Sequence, residues 1–259
     1  MNALLRQFSE QEVAGFMLVL GRVAPLFLLA PLFSARMFPA RARGIAAVAL
    51  AVGLAPLVLR EGRVPLDALG LGGLMVKEIL VGLAFAFAVG AVISAVAVAG
   101  SFLDTLIGFS YGALVDPLTG NQNAVLSQMY ALLGMMVFIG IGGDALVVQG
   151  LARTYELVPL VALPALGALT AGVRDAFVGI FTSALQLAAP VILALVLTDA
   201  AFGVAARVVP QLNVFAVGFP AKIVVGLALI AATLPFAGGF IADSLQHSLD
   251  GALGGLRVR

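Results

Sequence analysis

Cysteine and tryptophan are missing from this 259-residue chain, histidine occurs once, and only 10% of the residues carry charge. Without cysteine there is no disulfide frame, no thiolate nucleophile and no thiolate metal site. The lone His247 cannot anchor a multi-histidine centre, so no metal and no other cofactor is expected. A formal net charge of +1 gives no broad attraction for nucleic acid. Soluble domains carry about 25% charged residues; here apolar residues reach 62% and the mean hydropathy is +1.15. Lipid or a large apolar assembly must therefore supply the missing partner surface.

Six apolar segments stand out, at 13–33, 45–59, 69–99, 124–142, 176–198 and 214–236, with short polar breaks between them. A membrane-crossing helix needs roughly 20 mostly apolar residues. The first segment is too long for the apolar region of a cleaved signal and follows Glu10 and Glu12. It predicts a first membrane helix whose Arg22 needs a partner or water. The second segment is short and holds Pro56, whereas the third would reach roughly 46 Å as a helix, past a ~30 Å hydrocarbon core. The expected fold class is all-α: a multi-helix integral membrane protein made of helical hairpins of unequal length, forming one domain over 1–259. Membrane proteins usually place Trp and Tyr at both interfaces. Their scarcity here reflects either drift toward small aliphatic residues or helix ends that do not meet a lipid interface.

Small residues recur every fourth position at Gly82, Ala86, Gly90 and Ser94, with Ala91, Ala95 and Ala99 on a neighbouring face. This spacing lets helix backbones approach closely where apolar side chains gain little by leaving lipid. Catalytic signatures are absent: there is no P-loop, no HExxH and no GxSxG. Gly140-Ile141-Gly142-Gly143-Asp144-Ala145 matches a loose dinucleotide fingerprint but follows an apolar run of membrane length. No enzyme activity is expected.

What remains is a set of polar residues in costly places. Lys77 and Glu78 are consecutive, about 100° apart on a helix, and are not expected to face each other. Either they mark a helix end, or at least one, Glu78 foremost, is buried against a group elsewhere. Lys222, just inside the last apolar segment, is expected to extend toward its end. The stretch 100–128 holds no Lys or Arg yet carries Asp104, Asp116, Asn121, Gln122 and Asn123 beside Phe102, Phe109 and Tyr111. Asp116-Pro117 with Gly120 predicts a turn, and Asn121 or Asn123 is placed to cap the next helix. This stretch is either an ordinary loop or backbone folded into a cavity, the setting in which irregular structure is tolerated at membrane depth. In 199–222, Pro210 and Pro220 are expected to break the helical pattern. Asp199, Gln211, Asn213, Phe215 and Phe219 then form a structured connection that another chain or helix packs upon.

Taken together, these stretches resemble the FliR family of flagellar biosynthetic proteins and its injectisome relatives. The matching pieces are Lys77-Glu78-Ile79, then 108–128 with Asp116-Pro117 and Gly120-Asn121, Gly142-Gly143, Pro190 and Asp199. The most specific is Pro210-Gln211-Leu212-Asn213-Val214-Phe215 followed by Gly218-Phe219-Pro220. Asp144 departs from the histidine that flagellar relatives often carry. The resemblance implies a subunit of the flagellar type III export gate, in the bacterial inner membrane at the flagellar basal body. It would assemble with FliP and FliQ, and with FlhB, amid lipid, as a channel for unfolded polypeptides. It further implies that Phe109, Tyr111, Asp116, Pro117, Gly120 and Asn121 belong to a loop that plugs the closed channel. Glu78, Gly82, Gly90, Asp199, Pro210, Gln211, Asn213, Phe215, Phe219, Pro220 and Lys222 would serve packing and assembly. An injectisome gate subunit is one alternative reading; a secondary transporter, with charges and broken helices mid-membrane, is another.

Overall fold

The computed structural model describes residues 9–34, 39–58, 64–109, 124–209 and 213–255. Among the described residues the chain is all α-helix apart from turns and short connections. In order the helices are α1 (Glu10–Val23), α2 (Leu26–Leu29), α3 (Ala40–Val58), α4 (Ala68–Ile107), α5 (Val125–Gly140), α6 (Gly143–Leu157), α7 (Leu166–Val208) and α8 (Val214–Gly254). Four of these stretches are long and apolar enough to cross a membrane: α1 with α2, α4, α7 and α8. The pair α5–α6 makes a fifth if it counts as one broken span.

Local chemistry explains the starts and breaks. Ser9 opens α1 with a reciprocal cap: its hydroxyl accepts from the Glu12 amide at 3.2 Å, and the Glu12 carboxylate accepts from the Ser9 amide at 2.7 Å. Pro25 stands at the break between α1 and α2. Asn213 caps α8, its side-chain oxygen accepting from the Ala216 amide at 3.1 Å. α5 and α6 are separated by a break at Gly142, whose φ of +69° suits glycine. The loose dinucleotide fingerprint is therefore a break between two helices. Asp144 lies in the first turn of α6, where a negative charge complements the helix dipole.

Several segments extend well beyond their apolar cores. α4 has 40 residues, α7 has 43 and α8 has 41, each about 60 Å or more at ~1.5 Å per residue. A hydropathy pattern marks only the middle of such helices, because polar residues at the flanks do not stop a helix. For the same reason α6 lies in a stretch that the sequence pattern presents as a polar break. Pro220 does not break α8; it lies within the helix, as do Pro190 in α7 and Pro235 in α8. Each removes one backbone hydrogen bond from a ladder long enough to continue past it. Pro210 and Gln211 lie outside the described residues, and so does the side chain of Phe215.

The chain divides into two compact units. The first comprises Met1–Ala91, Gly142–Phe177 and Leu245–Arg259. Its core gathers Leu18 and Val19 of α1, Val81 and Phe85 of α4, and Val147 and Leu151 of α6, all at 0% exposure. Here the small-residue stripe of α4 meets α1 and α2. A side chain on Gly82 would collide with the Arg22 carbonyl, and one on Gly90 would approach the Leu29 carbonyl to 2.9 Å. Ser94, the last member of the stripe, is exposed.

The second unit comprises Val92–Ile141 and Val178–Ser244. Leu103 and Ile107 of α4, Leu126 and Tyr130 of α5, Ala188 and Leu195 of α7 and Ile230 of α8 share one apolar cluster. α4 and α5 pack backbone to backbone: a side chain on Gly100 would come within 2.6 Å of the Leu126 carbonyl. The Ser127 hydroxyl donates to the Ala97 carbonyl at 2.8 Å.

Candidate functional site

Arg22 occupies the last turn of α1 and is fully buried. Its carbonyl faces Gly82 of α4, and this close approach brings its guanidinium against Glu78, one turn earlier on the same helix. The pairing is bidentate: Nε donates to one carboxylate oxygen, and Nη2 donates to the other at 2.9 Å. The remaining guanidinium donors reach the end of α6. Nη1 donates to the Thr154 hydroxyl at 3.2 Å, and Nη2 also donates to the Val158 carbonyl at 2.8 Å. Thr154 passes its own proton to the Leu151 carbonyl at 2.6 Å. The Tyr155 ring lies under the guanidinium, 4.0 Å away, with its hydroxyl donating to the Val19 carbonyl at 3.3 Å.

Lys77 completes the cluster. Its ammonium donates to the carbonyls of Pro159, Leu160 and Ala162 at 3.1, 2.8 and 3.2 Å. It also pairs with the Glu78 carboxylate, although consecutive residues point about 100° apart on a helix. The long lysine side chain closes that angle, because both heads turn toward the segment after α6. Two cations and one anion leave a local excess of +1. The C-terminal end of α6 and the carbonyls beyond it offset that excess, since a helix C-terminus carries partial negative charge and unpaired carbonyls.

The junction is closed. Arg22, Glu78 and Thr154 are at 0% exposure and Lys77 at 5%, and the donors of both cations are turned to protein acceptors. The arrangement holds α1, α4 and the end of α6 together and offers no open position to a substrate. No group of three or more potential metal-ligating side chains occurs among the described residues. Arg22 and Glu78 are legible in sequence as charges that need partners. Thr154 and Tyr155 carry no such signal, because they sit in a stretch without a membrane-length apolar run.

Most of the other residues singled out in the sequence belong to the second unit. Phe109 is half-buried at the end of the α4 segment. Tyr111, Asp116, Pro117, Gly120 and Asn121 lie outside the described residues. The cap of α5 differs from expectation: Ala124 holds the capping position with no side-chain bond. A carboxylate from the neighbouring helix, buried Asp104, accepts from the Leu126 amide at 3.2 Å instead. Lys222 does not run out along α8; it donates to Asp199 of α7 at 2.7 Å. Phe219 and Pro220 are exposed on α8.

The family model described as "Bacterial export proteins, family 1" matches residues 13–248. The chain is similar to "Flagellar biosynthetic protein FliR" of Bacillus subtilis (strain 168), with 33% identity over 89% of this chain and 88% of the relative. The protein of the same name from Escherichia coli (strain K12) is 30% identical over 92% of each. "Surface presentation of antigens protein SpaR" of Salmonella typhimurium is 25% identical over 87% of this chain and 84% of that one.

The junction makes a specific claim about Glu78, which lies between two cations and so supplies charge as well as acceptor oxygens. Glu78→Gln keeps an acceptor but leaves Arg22 and Lys77 buried without an anion. We expect Glu78→Gln and Glu78→Ala to be similarly severe, each costing about 3–5 kcal/mol, the range for breaking a buried ion pair. Thermal unfolding of the purified variants in detergent measures this. A glutamine variant close to the parent in midpoint would show that hydrogen bonding alone accounts for the role of Glu78.

Proposed function

This chain belongs to family 1 of the bacterial export proteins and is a subunit of the flagellar type III export apparatus; from that premise we propose that it acts as an export-gate subunit in the bacterial inner membrane. In this reading the chain works as one domain over 1–259. It joins FliP and FliQ, with FlhB beside them, to form the conduit for unfolded flagellar proteins. Its part is structural and non-catalytic, without a cofactor.

The observation that carries the reading is the near full-length relationship to FliR proteins, combined with how little the chain covers its own long helices. Only 22% of the most apolar window of α7 is buried within the chain, and 17% of that of α8. A channel subunit whose neighbours complete its packing has this character. Solute uptake by this chain alone would call for a polar site within a membrane span, open to a ligand. The buried Arg22, Lys77 and Glu78 are instead bonded to one another and to protein carbonyl and hydroxyl oxygens. An injectisome gate subunit is the second reading, since SpaR proteins are similar to the chain at lower identity.

The loop around Phe109, Tyr111, Asp116, Pro117, Gly120 and Asn121 closes the conduit at rest in this reading. Its composition supports that role: aromatic and small residues with no Lys or Arg pack into a constriction without burying a cation. The sequence expects a turn at Asp116-Pro117 with Gly120, whose backbone amides would offset the Asp116 carboxylate.

Co-expression tests the assignment. Produced alone, the chain should aggregate or be degraded; produced with FliP and FliQ it should be recovered in a stable complex, because partners that bind only the folded form stabilise it. A monodisperse, protease-resistant monomer in detergent, indifferent to the partners, would contradict the proposal. Deleting 112–120 should leave that complex assembled but raise its ion conductance. An assembled deletion complex as tight as the parent would remove the loop from the role of seal.

A further inference from the structure

The connection between α6 and α7, residues 158–165, has few donors for its own carbonyls. Pro159 and Pro164 contribute no N–H. Among the described residues, the bonded amides of the connection are those of Val158, which donates to the Thr154 carbonyl at 2.9 Å, and Ala162, which donates to the Pro159 carbonyl at 3.1 Å. The carbonyls of Pro159, Leu160 and Ala162 instead converge on the Lys77 ammonium, at 3.1, 2.8 and 3.2 Å. The Glu78 carboxylate is a fourth oxygen group on the same nitrogen, and Lys77 is 5% exposed. Carbonyl dipoles aimed at one buried point repel one another, so the cation is what makes this course of the backbone favourable.

The oxygens have a definite chemical preference. Their distances suit the N–H donors of an ammonium, about 2.7–3.2 Å, and exceed the ~2.0–2.6 Å at which magnesium and calcium hold oxygen. Three of the four groups are neutral, and the one carboxylate is shared with Arg22. Such a set offers too little negative charge for a divalent ion and enough for one ammonium, whose N–H donors it accepts.

We propose that these four oxygen groups form a site for one small primary-ammonium cation, that Lys77 is its tethered occupant, and that the 158–165 connection keeps its course only while the site is filled. Lys77 is then a positioning residue for the start of α7. Val81, one turn after Lys77 on α4, packs with Val158 before the connection and Leu169 after it. The two charged neighbours on α4 therefore have separate tasks: Glu78 holds α1 through Arg22, and Lys77 holds the path from α6 to α7. This division rests on the geometry of the first unit and is independent of the export-gate reading.

Lys77→Ala removes the side chain beyond Cβ, the equivalent of a propylammonium ion. The test is hydrogen exchange on the full-length chain, purified in detergent with its partner chains. It reads the amides of Val158, Ala162, Ala168 and Leu169, all bonded in and around the connection. In Lys77→Ala these amides should exchange at least about tenfold faster than in the parent, while those of α5 keep their protection. n-Propylammonium chloride should restore protection several-fold in the variant, increasingly with concentration, and leave the parent unchanged. Tetramethylammonium chloride, a cation without an N–H donor, should restore none. Equal exchange in variant and parent, or equal effects of the two salts, overturns the inference. If Lys77→Ala is not recovered folded, Lys77→Met, which keeps the bulk of the stem without its charge, is read at the same amides. Faster exchange there supports the site, and protection equal to the parent's overturns it.

Discussion

A carboxylate held between two cations, away from water, is the constraint on which the first unit depends. Glu78 is at 0% exposure and pairs with both Arg22 and Lys77. None of the three can turn toward solvent, so each must keep its partners or the helices must part. Breaking a buried pair is strongly destabilising, whereas an exposed pair contributes about 0–1 kcal/mol. The junction therefore acts as a condition on the fold. α1 can enter only at the depth that places Arg22 against Glu78, and α6 only where its C-terminal carbonyls meet the cations. Gly82 permits this geometry, because any side chain there would collide with the Arg22 backbone.

The second unit is built on a different principle. Its helices are matched by shape, with backbone approaching backbone at Gly100 and a shared apolar cluster from α4, α5, α7 and α8. Among the described residues its polar links include Asp104 capping α5 from the adjacent helix, Ser127 reaching Ala97, and Lys222 reaching Asp199. Much of α7 and α8 is left for others to cover. A subunit of a multi-chain membrane complex needs both parts: one region that fixes its own helices, and one that offers long apolar faces to neighbours.

Much of the architecture was legible in the chain. Membrane helices follow from apolar runs, and the need of Arg22 and Glu78 for partners follows from the cost of charge among apolar residues. Their pairing was not legible, since 56 residues separate them and no local rule connects α1 to α4. The helix lengths were underestimated because hydropathy marks the apolar middle of α7 and α8 and not their polar ends. Pro220 looked like a break because proline disfavours helix interiors, yet a 41-residue helix tolerates the loss of one bond. Lys77 and Glu78 looked divergent because helical angle ignores the reach of a lysine side chain.

The most direct measurement of the central claim is a double-mutant cycle on Arg22 and Glu78, replacing each by methionine alone and then together in the purified complex. The junction predicts a coupling of at least about 1 kcal/mol, the double variant losing less than the sum of the two single losses, because once Glu78 is gone Arg22 no longer has an anion to pair with. Additive losses, with the double variant less stable than both singles by their sum, would mean that Arg22 and Glu78 act independently and that the charge junction does not organise the fold.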